Sequence, residues 1–405
     1  MTNPLYILVE IKDIISLISI LTKFYVSSRV GIQSDRIIYS ATAKQTMNSI
    51  HRATLNCLGI ICFFCFVFEP ATATAAATDA EDPKSQVIPT IYLGLDVRGD
   101  PVYMPLIGAG TWQYGDDDAY ASVCKSFAAG YTFIDTAYGY KNQKGVGKAI
   151  KDCWKGNRTD LFVMTKIPGG LNASEVQRLH ELNLEELDLD YVDHLMTHFP
   201  ADWEQTVSSP EARQEEWLAL EAIYKTGEAL TIGISHYCSK HILDVLWVAT
   251  VTPSINQVEY HIGSQDVDNV IETCSDFGIT FMSFSPLCGP CSYEPGDSLV
   301  SGDLVTEIAG QYQHERSSSS SKNALADGTV TGSQVALRYI VQQGIPVIPK
   351  SNTMSHILSN LQIFDFELSD AHMEHLGQAM KPEAHGGDCE VLAGAFPLSL
   401  EAARQ

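Results

Sequence analysis

The sequence predicts an α/β protein built as a (β/α)8 barrel, a TIM barrel, with an N-terminal β-hairpin capping the barrel floor. Three observations carry that expectation. From residue 90 onward, short β-branched or apolar runs alternate with longer helix-patterned stretches, the signature of consecutive βα units and a parallel sheet. Eight such runs fall within roughly 260 residues, the size of a closed barrel. The first run continues as Gly108-Ala109-Gly110-Thr111-Trp112-Gln113, lacking the third glycine that an open dinucleotide-binding sheet places in its first turn.

Taken in order, residues 90–105 (TIYLGLDVRGDPVYMP) hold two extended runs around Arg98-Gly99-Asp100 and read as the hairpin. Strands are expected at 106–109, 131–134, 161–165, 192–197, 230–234, 254–258, 279–284 and 346–348. Helices are expected at 117–129, 174–186, 211–226, 239–250, 266–277 and 332–343, with Gly130, Gly227, Gly278 and Gly344 at or near the positions where a left-handed residue ends a helix. Residues 311–331 carry a five-serine run without periodicity and read as a disordered insertion. The chain thus divides into a leader at 1–85, a barrel at 86–385 and a tail at 386–405.

The leader reads as an address. Residues 55–68 (LNCLGIICFFCFVF) form an apolar run of 14 residues, short of the ~20 that span a bilayer. From Met47, a weakly basic start, that run and the small-residue stretch ATATAAAT give the three-part layout of a signal peptide at about 47–75. That layout implies the secretory pathway or an organelle; the alternative is a disordered extension on a cytoplasmic protein. Charge narrows the partners. The chain has 26 Lys plus Arg against 49 Asp plus Glu, a formal charge of −23, and residues 86–405 hold 42 of the acidic side chains. Such a surface repels phosphate backbones, which excludes nucleic acid as a partner. Seven cysteines follow the leader, an odd number, so at least one is unpaired.

Chemistry concentrates at strand ends. The second strand ends in Asp135, with Tyr140 five residues on; the third ends in Lys166 and the fourth in His198. In a barrel these four side chains share one mouth. A free phenol, with a pKa near 10, is a poor acid at neutral pH. An adjacent ammonium is expected to lower that pKa, with Asp135 holding Lys166 charged and in place. Such a set is a proton donor for a carbonyl oxygen receiving a hydride.

At these residues the sequence resembles the aldo-keto reductases over roughly residues 90–380. The motifs are GAGTW, DTAYGYKNQ followed by GVGKAI, LDLDYVDHLMTHFP, INQVEYH, FSPL and IPVIPKSN. The resemblance implies an NADPH-dependent reductase of small aldehydes or ketones. Tyr140 would be the general acid, Lys166 and Asp135 its tuning pair, and His198 the residue that orients the carbonyl. It places Thr111 and Trp112 beside the nicotinamide ribose and substrate, and Ser235, His236 and Gln257 at the carboxamide. Phe284 would stack on the nicotinamide, Ser285 and Leu287 would meet the pyrophosphate, and Lys350, Ser351 and Thr353 the 2′-phosphate, with Asn360 at the adenine end. Trp112, Phe199 and Trp203 would line the substrate pocket. The family also suggests a monomer.

Several positions depart from the family. His236 stands where an Asn is usual and Gln143 where a Glu is usual; His356 and Ser359 replace the Arg and Glu that hold the adenine. Loss of that guanidinium leaves NADH open beside NADPH. Cys288-Gly289-Pro290-Cys291 copies a C-x-x-C, read either as incidental thiols in a tight loop or as a disulfide over the pyrophosphate. No second C-x-x-C or H-x3-H accompanies it, so no metal is expected. The same four residues would serve alcohol oxidation. The reading from another class is a cofactor-binding scaffold without catalysis, which the intact tetrad disfavours.

Overall fold

The structure is a computed structural model that describes residues 88–202, 209–264, 266, 268–288, 298–312 and 328–379. The leader, most of the 311–331 insertion, the 386–405 tail, Trp203 and Cys291 lie outside the described residues.

Strands β1 (Thr90–Leu95) and β2 (Pro101–Pro105) form the expected antiparallel hairpin. Asp96 organises its turn: the buried carboxylate accepts from the backbone N–H groups of Arg98 at 2.8 Å and Asp100 at 2.9 Å, and from the Arg98 guanidinium at 2.7 Å. An Asp side chain can stand in for a backbone acceptor in this way, which closes the turn locally. Leu93, Val102 and Met104 of the hairpin join one buried cluster with Phe133, Phe162, Met164, Met196, Ile255, Met282 and Ile348.

Strands β3 (Ala109–Gly110), β4 (Phe133–Asp135), β5 (Phe162–Ile167), β6 (Val192–Thr197), β7 (Ala229–Ser235), β8 (Ile255–Glu259) and β9 (Thr280–Phe284) are parallel and hydrogen-bonded in chain order. The expected eighth strand at 346–348 is reduced to Val347, which bridges in parallel to Ile107 on one side and Ser283 on the other. Pro346 and Pro349 flank it and have no N–H to extend the ladder. The seam still closes: Val347 N–H donates to Leu106 O at 2.9 Å and Gly108 N–H to Val347 O at 2.9 Å. At Gly110 a Cβ would lie 2.9 Å from the Ile348 carbonyl oxygen, so this seam requires glycine.

The helices are α1 (Asp116–Ala129), α2 (Gln143–Cys153), α3 (Ala173–Leu187), α4 (Pro210–Thr226), α5 (Ser239–Leu246), α6 (Val270–Asp276), α7 (Asp303–Ala309), α8 (Gly332–Val341), α9 (Met354–Leu361) and α10 (Asp370–Gly377). Capping residues fix several starts: Asn172 with Glu175, Ser209 before Pro210, and Thr331 with Gln334. Three helices are shorter than expected, α8 only by its last two residues. α5 stops at Leu246 because the Glu221 carboxylate takes the N–H groups of Thr250 at 2.5 Å and Val251 at 2.9 Å, drawing the chain onto α4. α6 begins at Val270, and Asp266 acts outside it, accepting from Val270 N–H at 2.6 Å and Ile271 N–H at 3.1 Å.

A disulfide that sequence reasoning did not pair joins α1 to α2: Cys124 to Cys153, Cα atoms 5.3 Å apart. Cys274 is free and buried. Cys288 is also disulfide-bonded, while Cys291 belongs to the residues not described. No described helix is long and apolar enough to cross a membrane.

Candidate active site

Side chains alternate along a strand, so residues two apart share a face. The inward residues that pack the floor are followed, two positions on, by polar or aromatic ones at the mouth. Phe133 gives way to Asp135, Met164 to Lys166, Met196 to His198, Ile255 to Gln257, and Met282 to Phe284. Strand periodicity alone therefore gathers the expected residues.

Lys166 and Asp135 are buried and form the centre. The ammonium donates to both carboxylate oxygens, at 2.7 and 2.6 Å, and to Thr136 O at 3.1 Å. Its remaining contact is Tyr140 Oη at 3.3 Å. A one-turn 3-10 helix, Tyr138–Tyr140, brings that hydroxyl back over the strand ends, and Lys141 follows it in left-handed backbone at φ 58°. Tyr140 is half-buried, so the phenol faces both the ion pair and the mouth.

The electrostatics correct one expectation. Burial and the Asp135 charge push the Tyr140 pKa well above 10, rather than down. The ammonium cannot reverse this, because Asp135 already engages it through two short bonds and cancels most of its field. Burial lowers the Lys166 pKa while Asp135 resists that shift.

Aromatic rings continue from the phenol around the mouth. The His198 ring lies 5.5 Å from Tyr140 and stacks on Phe199 at 4.7 Å; His236 lies 4.3 Å from Phe199 and 4.7 Å from Phe284. Burial, then Lys166, then His236 push the His198 pKa well below 6.5, and burial takes His236 down to about 3. Both are neutral at physiological pH. His236 sits at φ 61°, with Nδ1 2.9 Å from both His198 O and Ser235 Oγ. Ser235 Oγ–H donates to Gln257 O at 2.8 Å, and Gln257 Nε2 donates to Asp135 at 3.0 Å.

Around the rim, Thr111 Oγ1–H donates to Asp135 O at 2.9 Å, and half-buried Trp112 follows it. Ser285, at φ 48°, and Leu287 lead away from Phe284. Lys350 reaches Gln113 Oε1 at 2.8 Å and sits 5.0 Å over the Tyr114 ring; no carboxylate among the described residues pairs with it. α1 supports its loop, Ser122 Oγ–H donating to Ser351 O at 2.8 Å and Lys125 Nζ to Asn352 O at 2.7 Å. Thr353 and His356 are exposed, whereas Ser359 and Asn360 are buried on α9. An unpaired cation, exposed hydroxyls and a ring at the mouth suit a phosphate-bearing dinucleotide.

Sequence reasoning passed over Asn142, although it lies in the DTAYGYKNQ string. Its buried Nδ2 donates to Thr111 O at 2.7 Å and Tyr114 O at 2.9 Å, tying the Trp112 loop to the turn that carries Tyr140. Gln143 is buried away from the mouth, accepting from Thr165 Oγ1–H at 2.6 Å and donating to Asn183 at 2.8 Å. Gly169 lets two mouth loops touch: a Cβ there would overlap the carbonyl oxygens of Phe199 and Ala201.

Comparison with known proteins identifies the family. The aldo/keto reductase family model matches residues 106–381. The chain is 32% identical to a D-galacturonate reductase of Hypocrea jecorina, over 66% of this chain and 84% of that protein. It is 32% identical to a glyoxal reductase of Bacillus subtilis, over 72% and 94%. Among solved structures, an aldo/keto reductase of Brucella melitensis superposes with a TM-score of 0.61 at 28% identity, covering 73% of this chain and 100% of that one. The chain belongs to the aldo/keto reductase family, a family of NAD(P)H-dependent oxidoreductases that act on carbonyl groups.

Proposed function

We propose that this protein reduces small aldehydes or ketones with NADPH, and that Tyr140 is the general acid. The observation that carries this is the Tyr140 hydroxyl held 3.3 Å from an ammonium that is itself clamped on Asp135. Ser235, His236, Phe284, Ser285, Leu287 and the Lys350–Thr353 loop would hold NADPH, which would supply the hydride. Every other part of the reaction falls to the protein.

The substrate oxygen sits between Tyr140 Oη and the neutral His198 ring. As that oxygen gains negative charge it becomes more basic than the phenolate, so the Tyr140 proton moves to it. The phenolate left behind is met by Lys166 at once, and Asp135 keeps the ammonium in place without reorganisation. The phenol is protonated at neutral pH, the form in which it can donate to the substrate oxygen. Alcohol oxidation is the same proton transfer run backwards, and the ratio of reduced to oxidised cofactor sets the direction. Trp112 and Phe199 give the pocket apolar walls. The related glyoxal and galacturonate reductases, as named, act on small oxygenated carbonyl compounds, which favours that substrate class here. Lys350 favours NADPH through the 2′-phosphate.

The test is cofactor oxidation across a panel of aldehydes, ketones and sugars, with NADPH and NADH in parallel. Reduction of small aldehydes with a higher kcat/KM for NADPH is expected. Absence of turnover on the whole panel would overturn the activity, and an NADH preference would overturn the cofactor assignment.

A further inference from the structure

The Gln257 side chain makes a contact outside the carboxamide role that the family resemblance implies. Its Nε2 lies 3.0 Å from Asp135 Oδ2, in a pocket where the sulfurs of Met164 and Met282 are 3.4 and 3.6 Å away. Amide orientation is fixed by chemistry: the opposite rotamer would aim a carbonyl oxygen at a carboxylate, and sulfur is a weak acceptor that also prefers the N–H side. Asp135 Oδ2 therefore has two donors, Lys166 and Gln257. The Gln257 backbone carbonyl meanwhile accepts from Ser235 Oγ–H at 2.8 Å and His236 N–H at 2.9 Å, and His236 Nδ1 reaches His198 O at 2.9 Å. One chain of contacts thus runs from His198 through β7 and β8 to Asp135, Lys166 and Tyr140, linking the two groups that face the substrate oxygen.

We infer that Gln257 is a positioning residue of the proton-donating site: its amide shares the Asp135 charge with Lys166 and so sets how strongly Asp135 holds the ammonium beside Tyr140. This rests on the proposed role of Tyr140. Without the Gln257 donor, the undiluted carboxylate binds its proton-carrying partner more tightly, and both Lys166 and Tyr140 become harder to deprotonate. The titratable groups around this centre are Tyr140 from the turn after β4, Lys166 from β5, His194 and His198 from β6, and His236 from β7. The three histidines are buried or half-buried and stay neutral near pH 7.

The test uses the full chain without cofactor, with lysines labelled at carbon-13 and the Lys166 signal assigned by its loss in Lys166→Met. Gln257→Met matches the side chain in length and sits between two methionines. It should raise the Lys166 titration midpoint by about half a pH unit or more, roughly a threefold change in the equilibrium. Gln257→Asn, which withdraws the amide by one methylene, should shift it the same way and decides the matter if the methionine variant fails to fold. In turnover, the alkaline limb of kcat/KM should also move upward. An unmoved Lys166 midpoint, or a rise in cofactor KM with the alkaline limb in place, would overturn the inference and leave Gln257 a cofactor contact only. The proposed activity fails separately, if the unaltered protein reduces no carbonyl compound.

Discussion

The two ends of the barrel interior are built from the same strands and obey opposite rules. At the floor, Phe133, Phe162, Met164, Met196, Ile255 and Met282 fill the space with apolar volume under the hairpin. One strand period higher, Asp135, Lys166, His198 and Gln257 replace them, and burial there is costly unless each polar group finds a partner. A gap at the floor costs packing, and an unpaired charge at the buried centre of the mouth costs desolvation. The difference shows that a barrel strand separates stability from chemistry by a step of two residues.

Breaking the mouth has the largest expected effect. Lys166→Met leaves the Asp135 carboxylate buried without its main partner, which costs about 3–5 kcal/mol of stability. It also removes the cation that receives the phenolate, so kcat/KM should fall by about 10²–10⁴. Denaturant unfolding with kinetics on the folded fraction separates the two losses. Phe162→Ala probes the floor alone: a loss of about 3–5 kcal/mol is expected from the cavity. Turnover by the folded fraction should stay within a few-fold of the unaltered protein, and a collapse of kcat would show that the two ends are not separable.

A third experiment concerns the frame outside the barrel. The Cys124–Cys153 disulfide closes a loop with a sequence separation of 29 between the helices that hold the Lys350 loop and the Tyr140 turn. Cys124→Ala with Cys153→Ala should lower stability by about 3–4 kcal/mol, on the chain-entropy account. The last experiment reads the acid slope, which leaves stability at neutral pH untouched. His194 and His236 both have folded pKa values pushed down to about 3 by burial. Unfolding lets them bind protons near pH 6.5, so their contribution is full above that pH and declines as pH falls from 6.5 towards 3, by up to about 1.4 kcal/mol per pH unit each. His194→Asn should flatten the slope of stability against pH.

Most of the fold was legible because its signals are local. Alternating apolar runs mark the strands, and Gly130 and Gly227 end their helices with φ of 104° and 82° as expected. What sequence could not give depends on distant partners: Glu221 ending α5 early, Asp266 standing outside α6, and prolines reducing the last strand to Val347. The site followed the same division. Strand periodicity placed Asp135, Lys166 and His198 together, but the Tyr140 shift comes first from burial and then from the Asp135 charge, which only the three-dimensional arrangement reveals. Asn142 and the Gln257 contact to Asp135 were missed for the same reason, since neither residue's type announces its partner.

The central claim is that one phenol delivers the proton to the substrate. Tyr140→Phe keeps the ring and deletes only the hydroxyl, so cofactor affinity measured by fluorescence quenching and aldehyde turnover should be determined on the same preparation. Unchanged cofactor affinity with kcat reduced by about 10²–10⁴ is the expected result. Turnover within a few-fold of the unaltered protein would contradict it.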